Sequence, residues 1–193
     1  NFNGNIEGWD VSSVTNMFYM FFDASNFNGN IGGWDVSNVT DMNKMFYNAS
    51  NFNGNIGNWN ISIVTNFTQM FHGATSFNQD ISTKLVEIND VEYTAWDTSN
   101  IRNMYFMFSD ASNFNQDINN WDVSSVTNMK YMFYNASNMD QSLNNWKFPA
   151  SVRVDDMFWK TTKMNIIGYT NTPGIEPVDD SDPDTLYRFS NRI

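Results

Sequence analysis

The stretch Phe2-Asn3-Gly4-Asn5-Ile6-Glu7-Gly8-Trp9-Asp10-Val11-Ser12-Ser13-Val14-Thr15-Asn16-Met17-Phe18-Tyr19-Met20-Phe21-Phe22-Asp23-Ala24 decides how the whole chain is read, because it recurs. Its tryptophan returns as Trp34, Trp59, Trp96, Trp121 and Trp146, in steps of 25 residues broken once by the 37 residues from Trp59 to Trp96. Eleven residues after each tryptophan comes Met-Phe, from Met20-Phe21 to Met157-Phe158. A fixed period of roughly 20 to 50 residues marks a solenoid, a propeller or an array, whose units bury their apolar faces on one another.

Within one unit the second half has helical spacing. Val14, Met17, Met20, Phe21 and Ala24 fall on one face of a short helix, and Ser12, Ser13 or Thr15 can supply its N-cap oxygen. Such a helix is too short to stand alone and must be held by its neighbours. In the first half, Ile6 to Val11 reads as a short extended segment, preceded by an Asn-Gly turn at Asn3-Gly4, Asn28-Gly29 and Asn53-Gly54. The expected fold is therefore an α/β solenoid of leucine-rich-repeat type, with one short strand and one short helix per 25-residue coil. A mainly β-solenoid with short helical turns is the alternative. Residues 1–168 are expected to form this solenoid, as six coils plus a partial seventh around Met164 to Ile167. Residues 169–193 are expected to be a C-terminal cap or docking tail.

The polar positions fit coil chemistry. Asn3, Asn28, Asn53, Asn78 and Asn115 share one place in the repeat and are expected to form a ladder of amides that satisfies backbone groups at the bends. Asp10, Asp35, Asp97 and Asp122 follow their tryptophans. Stacked like charges repel, so each is expected to be held in a local Asx-turn. A calcium ladder is the competing reading, broken by Asn60 and Lys147 in the same row. In the tail, Asp180, Asp182 and Asp184 mimic the start of a calcium loop, without the glycine and glutamate that complete one.

The phrase Phe114-Asn115-Gln116-Asp117-Ile118-Asn119-Asn120-Trp121-Asp122-Val123-Ser124-Ser125-Val126-Thr127-Asn128-Met129-Lys130-Tyr131-Met132-Phe133-Tyr134-Asn135-Ala136 resembles the 25/26-residue repeat of bacterial surface lipoproteins, which is related to the BspA-like leucine-rich repeats. The resemblance covers roughly residues 1 to 168. It implies a solenoid of leucine-rich-repeat type in an extracellular or cell-surface protein, with a role in adhesion or host and matrix contact. It carries no catalytic residues to transfer.

Two departures from the repeat carry the expectations about function. Residues 82–95 contain a 12-residue excess over the period, in which two β-rich runs flank Asn89-Asp90. This reads as a β-hairpin on a type I′ turn, and insertions in repeat arrays map to loops on one face, often the binding face. Leu85, Glu87, Ile88, Asn89, Asp90, Glu92 and Tyr93 are the candidate partner contacts. The other departure is the end of the chain, where Leu186, Tyr187, Arg188, Phe189, Arg192 and Ile193 form a candidate assembly tail beyond an acidic run.

Other classes find little support. Asp and Glu outnumber Lys and Arg by 21 to 10, and the resulting net charge of −11 repels phosphate backbones and anionic lipid. There is no cysteine for disulfides or thiolate metal sites, and no segment has the composition of a membrane-spanning helix. The chain opens inside a repeat, at Asn1-Phe2, so the lack of a leader peptide carries no message about secretion. The one histidine, His72, occupies a position filled by Phe22, Tyr47 and Tyr134 elsewhere and reads as an ordinary substitution. No catalytic set, phosphate loop or cofactor motif is present. The expected role is a non-catalytic extracellular repeat domain for adhesion or recognition of a protein or glycan surface partner, without nucleic acid and without direct membrane insertion. A structural subunit assembling end to end into a filament or surface layer is the alternative, and a calcium-stabilised extracellular module the third reading.

Overall fold

The computed structural model describes residues 2–162. The partial seventh coil at Met164 to Ile167, the division at residue 168 and the candidate assembly tail lie outside the described residues. The chain forms coils, each marked by its tryptophan, that stack directly on one another. Successive coils meet at single parallel bridges, Asn16 to Asp41, Asp41 to Asn66, Asn66 to Asn103, Asn103 to Asn128 and Asn128 to Arg153.

The expected secondary structure of each coil is overturned. Among the described residues there is no helix, and the only strands are two in the insertion, β1 (Lys84–Ile88) and β2 (Val91–Ala95). Neither the α/β solenoid nor its β-solenoid alternative describes this chain. The reason lies in where the N–H groups point. Those of Met17, Tyr19, Phe21 and Asp23 donate to the carbonyls of Asp41, Asn43, Met45 and Tyr47 in the next coil, at 2.8–3.2 Å. The alternate ones, of Met20, Phe22 and Ala24, bond back to Met17, Tyr19 and Phe21. A helix would keep every N–H for its own i−4 carbonyl and leave none for the neighbour.

This ribbon of turns needs a positive φ every four residues. Tyr19 and Asp23 have φ of 61° and 54°, and the equivalent pairs in later coils repeat it, ending with Asp156 and Lys160 at 52° and 60°. With reversals at that interval, Met17, Phe21 and Ala24 still fall on one buried side. Helical spacing therefore appears in the sequence without a helix in the fold. The expected strand around Ile6 to Val11 is absent for a local reason: the Trp9 N–H closes a turn on the Ile6 carbonyl at 3.1 Å, and the Val14 N–H closes another on Val11 at 2.8 Å.

The core is made of ring columns. Phe21, Phe46, Phe71, Phe108, Phe133 and Phe158 stack in sequence with centroids 5.4–5.7 Å apart. A second column, Phe27, Phe52, Phe77 and Phe114, runs beside it at 5.8–6.1 Å. The two columns touch at 3.9–4.0 Å in the four coils of Phe21, Phe46, Phe71 and Phe108. Each stacked pair adds about 1 kcal/mol beyond its buried area.

Polar ladders hold the bends. The side-chain oxygens of Asn3, Asn28, Asn53, Asn78 and Asn115 accept the backbone N–H of the equivalent residue one coil on, at 2.8–3.1 Å. The carboxylates of Asp10, Asp35, Asp97 and Asp122 and the amide of Asn60 each accept the N–H two residues ahead. Hydrogen bonds to Ser12 hold the Asp10 carboxyl below its ordinary range, and those to Ser124 do the same for Asp122. These Asx-turns satisfy N–H groups that no ladder reaches.

Candidate functional site

The insertion leaves the stack as a hairpin. Lys84 pairs with Ala95, Val86 with Tyr93 and Ile88 with Val91, in antiparallel register. Asn89 and Asp90 take φ of 52° and 61°, the double positive φ of a type I′ turn, whose twist matches that of the strands. Alternation puts Lys84, Val86, Ile88, Val91, Tyr93 and Ala95 on the face toward the stack, and Leu85, Glu87, Glu92 and Thr94 on the outer face.

The base of the hairpin is braced. Thr83 exchanges two bonds with the Asn120 amide, at 2.7 and 3.1 Å, and its hydroxyl donates to the Trp96 carbonyl at 2.7 Å. Lys84 Nζ lies 2.7 Å from Asp80 Oδ2. Burial raises the pKa of Asp80, but the hydrogen bonds from Lys84 and Ser82 outweigh it and hold the carboxyl at about 2. Higher up, the Tyr93 hydroxyl donates to the Asn58 carbonyl at 2.6 Å, tying the hairpin to the coil of Trp59. Burial, with the Asp35 charge, pushes the Tyr93 phenol up.

The sequence-derived contacts separate into groups. Leu85 is 65 % exposed on the outer face, where Glu87 and Glu92 stand directly opposite one another. Asn89 and Asp90 form the tip. Tyr93 is not a free contact, since it packs against the core. Ile88 faces inward yet is 41 % exposed, and its pair Val91, absent from the sequence-derived set, is 61 % exposed. Below them lies a groove of about 330 Å³ whose floor is the Gly32 to Ser37 bend, with Asn58 and Asn60 beside it. Gly32 is required there: a Cβ would collide with the Asn55 carbonyl. Val91 follows from the turn, because a two-residue loop makes it the partner of Ile88. Trp34, Asp35 and Asn58 belong to other coils, and only stacking brings them under the hairpin.

The same bend in the coil after the hairpin, at Asn119 to Ser124, borders a second cavity of about 440 Å³, with Lys147 on its rim and no hairpin residue lining it. His72 lies elsewhere, in an outer ring column between Tyr47 and Phe106, at 4.6 and 6.0 Å. No group of three or more acidic or histidine side chains suited to a metal ion occurs among the described residues.

The chain matches the family described as "Mycoplasma protein of unknown function, DUF285" twice, over residues 1–95 and 87–171. It belongs to this bacterial repeat family, represented by two tandem stretches. No curated protein matches it.

Proposed function

We propose that the chain is a non-catalytic recognition module of an extracellular or cell-surface protein, and that the hairpin is its partner contact. One observation carries this reading: Leu85, Ile88 and Val91 are held in solvent on a hairpin anchored to the stack at Thr83 and Tyr93. Exposed apolar groups on a preorganised scaffold give binding energy without the cost of ordering a loop. The resemblance to bacterial surface-lipoprotein repeats, and through them to BspA-like leucine-rich repeats, supports the location and the adhesive role. The test compares the whole protein with a variant lacking residues 84–95, which restores the 25-residue step, for capture of surface and matrix proteins. Specific partners lost with the hairpin support the reading, and an unchanged set of partners sinks it.

A further inference from the structure

We propose that the groove under the hairpin tip binds a short extended peptide of a partner protein, one that places a basic side chain beside a bulky apolar one. This rests on the hairpin being the recognition element and names what it recognises.

Three pairs of the hairpin point toward the stack. Ala95 is buried, and Val86 and Tyr93 pack on the core. The third pair, Ile88 and Val91, faces the same way but stays wet, held off the Trp34–Asp35 bend by the groove. The hairpin is not free to sink further, because Tyr93 is already bonded to Asn58 and Thr83 to Asn120. An inward apolar pair at the edge of a groove favours an apolar group of a ligand on that side.

The floor asks for a cation. Asp35 spends one carboxylate oxygen on the Ser37 N–H, and no Lys or Arg lines the groove. Glu87, Asp90 and Glu92 on the hairpin add to the same field. A lone carboxylate is too few ligands for a hard metal ion, which wants about six or more oxygens. A sugar ring is disfavoured too: Trp34 is only 5 % exposed and offers no open face to stack on. Only the Ile88–Val91 pair overhangs the groove, which therefore holds one basic and one apolar side chain of the peptide, the flanking residues lying outside it. The cavity around Trp121 is an internal control, because Lys147 on its rim repels the same ligand and it has no apolar roof.

The test titrates the full chain with two labelled pentapeptides, Leu-Arg-Phe-Arg-Leu and Leu-Glu-Phe-Glu-Leu, capped at both ends and followed by fluorescence anisotropy. The arginine peptide is expected to bind at least about tenfold more tightly than the glutamate peptide. Asp35→Asn and Val91→Ser, both surface changes whose folding is checked by thermal melting, are each expected to weaken it about tenfold, while Lys147→Ala leaves it unchanged. No binding, equal binding of the two peptides, or indifference to Asp35→Asn and Val91→Ser overturns the proposal. The recognition reading fails separately. If partner capture is lost with Leu85→Glu while neither peptide binds, the outer face of the hairpin is the contact and only the groove proposal falls.

Discussion

The carbonyl oxygen of Ile31 accepts two hydrogen bonds, one from the Trp34 N–H of its own turn at 3.1 Å and one from the Trp59 indole a coil further on at 3.2 Å. The pattern recurs at Ile6, Ile56 and Ile118, with Trp34, Trp96 and Trp146 as the indole donors. Trp34, Trp59, Trp96 and Trp146 therefore each lock their own coil to the one before it through a carbonyl oxygen that accepts two bonds.

Trp59→Phe removes that inter-coil bond from a fully buried site and leaves a small void, so it is expected to cost about 2 kcal/mol. Trp9 is 55 % exposed, and Trp9→Phe is expected to change stability by no more than about 0.5 kcal/mol. Urea unfolding midpoints of the two variants check the contrast; equal losses would show that the ring, not the bond and its burial, sets the effect.

The turn ribbon makes a demand on backbone shape. Gly73 has φ of +68°, and a Cβ there collides with the Asn48 side chain. Gly73→Val is expected to destabilise by about 2–4 kcal/mol, since a β-branched residue resists the left-handed region. Gly73→Asn is expected to cost about 1 kcal/mol, because Asn48 and Asn135 hold the same place at φ of 54° and 56°. Thermal melting of both variants provides the comparison.

His72 makes stability depend on pH. Burial lowers its pKa below the ordinary 6.5, Asp110 opposes this from 3.9 Å, and the Lys44 charge adds to the lowering. The folded protein keeps the ring neutral where the unfolded chain would protonate it. The stability tied to His72 is thus fully present above about pH 6.5 and is lost as pH falls below that value. His72→Tyr, which copies Tyr47 and Tyr134, is expected to flatten the melting-temperature profile between about pH 7 and pH 5. An unchanged profile would move the dependence to another group.

The hairpin is expected to open separately from the stack, since only its base and Tyr93 bond it there. Tyr93→Phe deletes the bond to the Asn58 carbonyl and is expected to loosen residues 84–95 by about 1 kcal/mol while leaving the ring columns intact. Hydrogen exchange resolved by residue is the measurement: faster exchange in β1 and β2 with unchanged protection around Phe46 and Phe71 is the expected result.

Much of this was readable in the residues. The ring columns follow from period alone, since Phe, Trp and Met recur where stacking would bury them. The hairpin follows from Asn89-Asp90 between β-rich runs, because both residues tolerate the positive φ its turn needs. The helix expected over Val14, Met17, Met20, Phe21 and Ala24 is absent because a ribbon reversing every fourth residue shares that spacing. The corrective signal was present in the column Asp23, Asn48, Gly73, Asp110 and Asn135, the residue types most at ease in the left-handed region. The groove had no such signal, as Asp35 and Val91 are 56 residues apart in the chain and share no motif.

Local chemistry and period were thus enough to specify which side chains stack, which bends carry Asx-turns and where the hairpin leaves the coil, because each of these depends on one residue and its repeat. The direction of the backbone hydrogen bonds and the lean of the hairpin over the Trp34 bend were decided only when coils met. An N–H chooses between its own turn and its neighbour's carbonyl only when that neighbour is in place, and Tyr93 finds Asn58 only across the finished stack.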